Sequence, residues 1–116
     1  MYSKRLLEHF QNPRNVGELP PPARTVEVSN PACGDIMRLS ALWAGDRVAE
    51  IRYLTRGCTA SIAAGSALTE LAAGKTSQEL ARLSAADVEL ALGGLSNESK
   101  HAAVLVIDAV RALLKK

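Results

Sequence analysis

Met37-Arg38-Leu39-Ser40-Ala41-Leu42-Trp43, followed by Ala44-Gly45-Asp46 and then Val48 through Leu54, is the stretch that decides the fold. In the first run Met37, Leu39, Ala41 and Trp43 alternate with Arg38 and Ser40, which is the period of a strand with one apolar face. Ala44-Gly45-Asp46 is a turn signal, and Val48 to Leu54 resumes extended structure with Ile51 and Tyr53 on a shared face. Together the two runs predict an antiparallel hairpin. Upstream, Val26 and Val28 alternate with Thr25 and Glu27 as on a half-buried strand, and Asn30 to Asp35 breaks that strand into a loop.

Downstream the period changes to that of helices. Thr59 to Ala73 is alanine-rich, places Ile62, Leu68 and Leu71 at helical spacing, and stops at Gly74. Thr76-Ser77-Gln78-Glu79 matches a capping box and predicts a short helix. Ser84 caps a second one that ends near Gly93-Gly94. The last helix starts around Ser96 to Glu98, and its stripe of Val106, Ile107, Val110 and Leu114 suits packing on a sheet. Lys115 and Lys116 fall at the negative end of its dipole. At the other terminus, residues 2 to 10 read as a short helix with Leu6, Leu7 and Phe10 on one side, ended by Asn12-Pro13. Strands first and helices after predict an α+β layer fold.

The 116 residues suffice for one domain, 1–116, and not for two. With 47% hydrophobic but only 3% aromatic residues, aliphatic and alanine packing must supply the core. Fourteen basic against 12 acidic side chains, without a basic stripe, argue against nucleic acid as the main partner. No segment approaches the ~20 apolar residues of a membrane span. The N-terminus MYSKRLLEHF has no apolar signal core, so the expected location is the cytoplasm. There the two cysteines, Cys33 and Cys58, are expected as free thiols or metal ligands rather than as a disulfide.

Four residues offer chemistry. Cys33 and Asp35 flank Gly34, whose backbone freedom lets both side chains turn toward one point. Cys58 follows Gly57 where the alanine-rich helix begins, and a helix N-terminus stabilises thiolate over thiol. His101, near the start of the last helix, adds an imidazole. Two thiolates, a carboxylate and an imidazole can fill a tetrahedral zinc site or ligate a small iron–sulfur cluster. Each residue also has a plainer role open to it: a buried cysteine packs as a small apolar side chain, Asp35 can bond its own turn, and His101 can be a partly exposed helix residue. A nucleophile pair of Cys58 and His101 is the weaker alternative, because the histidine lacks an evident orienting partner. No phosphate-binding glycine loop or nucleophile elbow is present in the sequence. His9 has no thiol or acid in a suggestive relation and reads as a surface residue.

These segments resemble the U-type iron–sulfur cluster assembly scaffold family (IscU/NifU N-terminal-like). The likeness is carried by Tyr2-Ser3, Leu7-Glu8-His9-Phe10, Asn12-Pro13-Arg14-Asn15-Val16-Gly17, Asn30-Pro31-Ala32-Cys33-Gly34-Asp35 and Gly57-Cys58-Thr59-Ala60-Ser61-Ile62-Ala63, with Ser66, Thr69 and Gly74-Lys75 beyond. It implies a three-stranded antiparallel sheet packed against several helices, with a ligand site at one exposed end. It also implies that Cys33, Asp35, Cys58 and His101 match family ligand positions. Such proteins are not enzymes. They take sulfur from a cysteine desulfurase, collect iron, build a [2Fe-2S] cluster and pass it to recipient apoproteins, and many bind zinc in the same pocket.

Two departures stand out. Ala102 occupies the place of a third ligand cysteine that commonly accepts persulfide sulfur. Leu92-Gly93-Gly94-Leu95-Ser96-Asn97 replaces the Leu-Pro-Pro-Val-Lys segment of the chaperone-assisted branch, which speaks against release by that route. Three readings follow: a cluster scaffold, a zinc-bound sulfur acceptor partner of a cysteine desulfurase, or a degenerate regulator that binds no metal.

Overall fold

The computed structural model describes residues 2–31 and 34–115. Its elements run α1 (Lys4–Gln11), β1 (Arg24–Asn30), β2 (Asp35–Ala44), β3 (Arg47–Arg56), α2 (Thr59–Ala72), α3 (Ser77–Ala81), α4 (Ala85–Ala91), a 3-10 turn (Asn97–Ser99) and α5 (Lys100–Leu114). The three strands form one antiparallel sheet in the order β1-β2-β3. The expected α+β architecture, a small three-stranded antiparallel sheet packed against several helices, is therefore what the chain adopts.

Register follows from the alternation that predicted it. Val26 pairs with Leu39, and Leu39 with Tyr53, so one face of the sheet collects Met37, Leu39, Ala41, Ile51 and Tyr53, all buried. A slip of one residue would turn this set to solvent, so burial itself holds the register. Helices α2 and α5 cover that face, with Val106, Ile107 and Val110 buried as the stripe predicted. Two capping boxes, Thr76 with Glu79 and Ser84 with Asp87, start α3 and α4. Among the described residues no helix is long and apolar enough to cross a membrane.

Helix α2 lies very close to the sheet. A Cβ added to Gly65 would fall 2.3 Å from Tyr53 Cε2, so only glycine lets the helix approach. The buried Tyr53 hydroxyl donates to the Ile62 carbonyl at 2.7 Å, and burial pushes its phenol up to about 12. This contact fixes how far α2 sits along β3, and therefore where its N-terminus points.

The first helix differs from its sequence pattern. Leu7 and Phe10 are each 37% exposed, whereas Leu6 and His9 are buried. The inner face is thus the i, i+3 pair Leu6 and His9. His9, expected at the surface, is instead the centre of a polar cluster with Ser66, Arg14 and Glu70. Residues 15–17 then pair with the free edge of β3 through Tyr53 N–H to Asn15 O and Gly17 N–H to Tyr53 O, each 2.9 Å, closing an edge otherwise open to other chains.

Candidate metal centre

The end of the sheet where β2 begins and β3 ends carries the site. Asp35 opens β2 opposite Asn30, and its neighbour Ile36 pairs with Arg56 at the end of β3. Two residues beyond Arg56, Cys58 is the N-cap of α2 and makes no side-chain capping bond, which leaves its sulfur free to face the sheet end. His101 reaches the same point from the first turn of α5. Gly34, just ahead of Asp35, takes φ +72° and donates its N–H to Asn30 O at 2.8 Å, the left-handed turn that glycine permits.

The three side chains converge. Cys58 Sγ lies 3.6 Å from Asp35 Oδ2 and 3.7 Å from His101 Nε2, and His101 Nε2 lies 3.4 Å from Asp35 Oδ2. One ligand atom from each falls within 4.8 Å of the others. Asp35 is 4% exposed, while Cys58 is half-buried and the His101 side chain is 24% exposed, so the cluster opens to solvent on its cysteine and histidine side. A thiol, a carboxylate and an imidazole at these separations are the ligand types that zinc and iron–sulfur sites take. The residues present fit a metal or a small cluster in donor chemistry. Of the four expected site residues, the fold brings together Asp35, Cys58 and His101, and Cys33 lies outside the described residues.

Two residues of this centre have no part in the sequence-level ligand set. Ser61, fully buried one turn after Cys58, donates to Asp35 Oδ2 at 2.5 Å and sits 3.3 Å from Cys58 Sγ. Its signal was the i, i+3 spacing from the cysteine that opens the helix. Gly57 gives the carboxylate its room: a Cβ there would meet Asp35 Oδ1 at 2.6 Å and Cγ at 2.7 Å. No local pattern reveals that need, because Asp35 and Gly57 meet only across the hairpin. Ala102, beside His101, is wholly buried in the core and presents a methyl group that binds no metal.

Comparison with known proteins identifies the family of the chain. Along residues 1–116 the chain matches the NifU-like N-terminal domain. It is 41% identical over 111 residues to the iron-sulfur cluster assembly scaffold protein IscU 1 of Archaeoglobus fulgidus, covering 96% of this chain and 72% of that protein. With the iron-sulfur cluster assembly scaffold protein IscU of Aquifex aeolicus it shares 35% identity over 116 residues, covering 98% of this chain and 74% of the relative. A candidate SUF-system cluster assembly scaffold from Fervidobacterium islandicum has the same fold, with TM-score 0.78, 22% identity and coverage of 98% and 96% of the two chains. Matched from end to end, and by relatives above 30% identity of whose length it covers 72% and 74%, the chain belongs to the family of NifU-like N-terminal domains.

Proposed function

We propose that this domain, residues 1–116, is a scaffold for iron–sulfur cluster assembly, holding iron and a [2Fe-2S] cluster as cargo for transfer to recipient proteins. The observation that carries this reading is the convergence of Asp35, Cys58 and His101 within 4.8 Å at one end of a fold whose relatives are named cluster assembly scaffolds. Cys33, two residues before Asp35 in the chain, completes the ligand set. Cys33 and Cys58 supply thiolates, the ligands iron–sulfur clusters favour, and Asp35 and His101 supply the oxygen and nitrogen donors.

In this reading a cysteine desulfurase delivers the sulfur, recipient apoproteins take the cluster, and the work is done in the cytoplasm. The domain catalyses no turnover of its own. With a methyl group at Ala102, Cys33 or Cys58 must accept the incoming sulfur. A centre with one carboxylate and one imidazole among its donors holds iron less firmly than an all-thiolate one, which suits cargo that must leave. The open side at Cys58 and His101 is the face through which sulfur and iron enter.

The test is anaerobic loading with desulfurase, cysteine and ferrous iron, followed by iron and acid-labile sulfide analysis. Stoichiometric iron and sulfide that disappear in Cys58→Ala are expected. One bound zinc with no sulfide would replace this reading by the sulfur-acceptor one, and binding of neither would overturn both.

A further inference from the structure

We propose that Ser61 is a positioning residue of this centre, whose hydroxyl holds the Asp35 carboxylate in its ligand orientation. The inference rests on the metal-site reading above and adds to it a residue outside the ligand set.

Two contacts pin the carboxylate. Oδ1 lies over Gly57, at a point where even a methyl group would be 2.6 Å away. Oδ2 receives the Ser61 hydroxyl at 2.5 Å. With both oxygens located, Oδ2 is the one that faces His101 Nε2 at 3.4 Å and Cys58 Sγ at 3.6 Å. Ser61 has no exposed surface, so water does not compete for its hydroxyl, and a hydrogen bond to a charged group in such surroundings is strong.

The donor count points the same way. Ser61 has a single proton to give, and Asp35 Oδ2 takes it. The Cys58 thiol donates to the same Oδ2 at 3.6 Å and lies 3.3 Å from the serine oxygen. A metal bound here would take the place of the thiol proton, and Ser61 would keep its bond to Oδ2 while a second lone pair of that oxygen served the ion. Carboxylates that ligate metals depend on such outer partners, whose removal typically costs about 10- to 100-fold in affinity. Ser61 stands on the rigid first turn of α2, which the Gly65–Tyr53 contact locks against β3, so the orientation is inherited from the core.

The experiment is a double-mutant cycle with Ser61→Ala and Asp35→Ala, read by zinc affinity in chelator competition and by the absorption spectrum of the cobalt-substituted domain. Ser61→Ala is expected to weaken zinc binding by about 10- to 100-fold and to alter the cobalt bands. In the Asp35→Ala background it should change affinity by less than about twofold, since its partner is gone. In the metal-free domain the two substitutions should be coupled about tenfold in the unfolding equilibrium constant. An equal loss in both backgrounds would mean that Ser61 acts by packing alone, and overturns the inference. Undiminished zinc binding in Ser61→Ala, with binding lost in Cys58→Ala, overturns it while leaving the metal site standing. A wild-type domain that binds neither zinc nor cobalt overturns the site and the inference together.

Discussion

Helix α2 carries two polar clusters, each built around a histidine and a buried serine, and they differ in how their atoms are matched. In the middle of the helix, Ser66 donates to His9 Nδ1 at 2.7 Å and accepts the Arg14 N–H at 3.0 Å. The Arg14 guanidinium also lies 3.3 Å from Nδ1, so that nitrogen is the acceptor and the proton belongs on Nε2, which faces Glu70 at 3.5 Å. Asn15 donates to Thr69 Oγ1 at 3.0 Å, and Thr69 in turn donates to the Ser66 carbonyl at 2.7 Å. Every donor there has an acceptor, and the result is a latch between α1, residues 14–15 and α2. At the N-terminus of the same helix, three side chains approach one oxygen of the Asp35 carboxylate: the Ser61 hydroxyl at 2.5 Å, His101 Nε2 at 3.4 Å and the Cys58 thiol at 3.6 Å. Three groups of metal-ligand type, a thiol, a carboxylate and an imidazole, share that one point. The difference between the latch and the candidate metal centre is arrangement: one links donors to acceptors in succession, the other gathers three groups of metal-ligand type on one point.

The comparison can be broken in four places, beginning with the largest effect. Cys58→Ala should lower zinc affinity by more than the ~100-fold upper range of an outer partner, because a ligand itself is lost. The same substitution should change unfolding free energy by under about 1 kcal/mol, as expected for losing one sulfur atom from a half-buried side chain at the edge of the core. Chelator competition and urea unfolding check the pair. His9→Ala should do the reverse: about 2–3 kcal/mol of stability lost, from a cavity and an unpaired buried serine, with zinc affinity unchanged.

The two tight glycines sharpen the contrast. Gly65→Ala drives a methyl group into the Tyr53 ring and should cost about 1–3 kcal/mol by overpacking. Gly57→Ala instead displaces the Asp35 carboxylate, so its main consequence should be a loss of about tenfold or more in zinc affinity. If both substitutions moved only stability, the separation between latch and site would fail.

The smallest effect is on pH. Burial holds the His9 imidazole below its ordinary value of 6.5, with Arg14 adding to this and Glu70 and Glu8 opposing it. A histidine depressed in the folded state contributes stability that is complete above its unfolded value. That contribution is lost as pH falls through the lower folded one, because the unfolded chain binds more protons. Urea unfolding at about pH 7.5 and about pH 5.5 should show this loss in the wild type and a smaller one in His9→Gln.

Much of this architecture was legible residue by residue. The alternation from Met37 to Trp43 and from Val48 to Tyr53 gave the hairpin and its buried face, because a strand's two faces are written two residues apart. Thr76 with Glu79, and Ser84 at the head of Ala85–Ala91, marked helix starts because capping is a contact over three residues. His9 was misread for the opposite reason. Beside exposed Leu7 and Phe10 nothing local marks it as buried, and its partner Ser66 stands 57 positions away.

For the site, the residue types and the family resemblance named Cys33, Asp35, Cys58 and His101 as one ligand set, while their spacing in three separate segments did not by itself show that they meet. By itself the sequence determined which side chains could bind metal, where α2, α3 and α4 begin, and that a methyl group stands at Ala102. Only the tertiary structure decided that α2 approaches β3 closely enough to bring Cys58 to Asp35, that Gly57 leaves room for the carboxylate, and that Ser61 bonds to it. The physical reason is range. Propensity, periodicity and capping act over a few residues, whereas a binding site is made by close packing between segments that the chain itself keeps far apart.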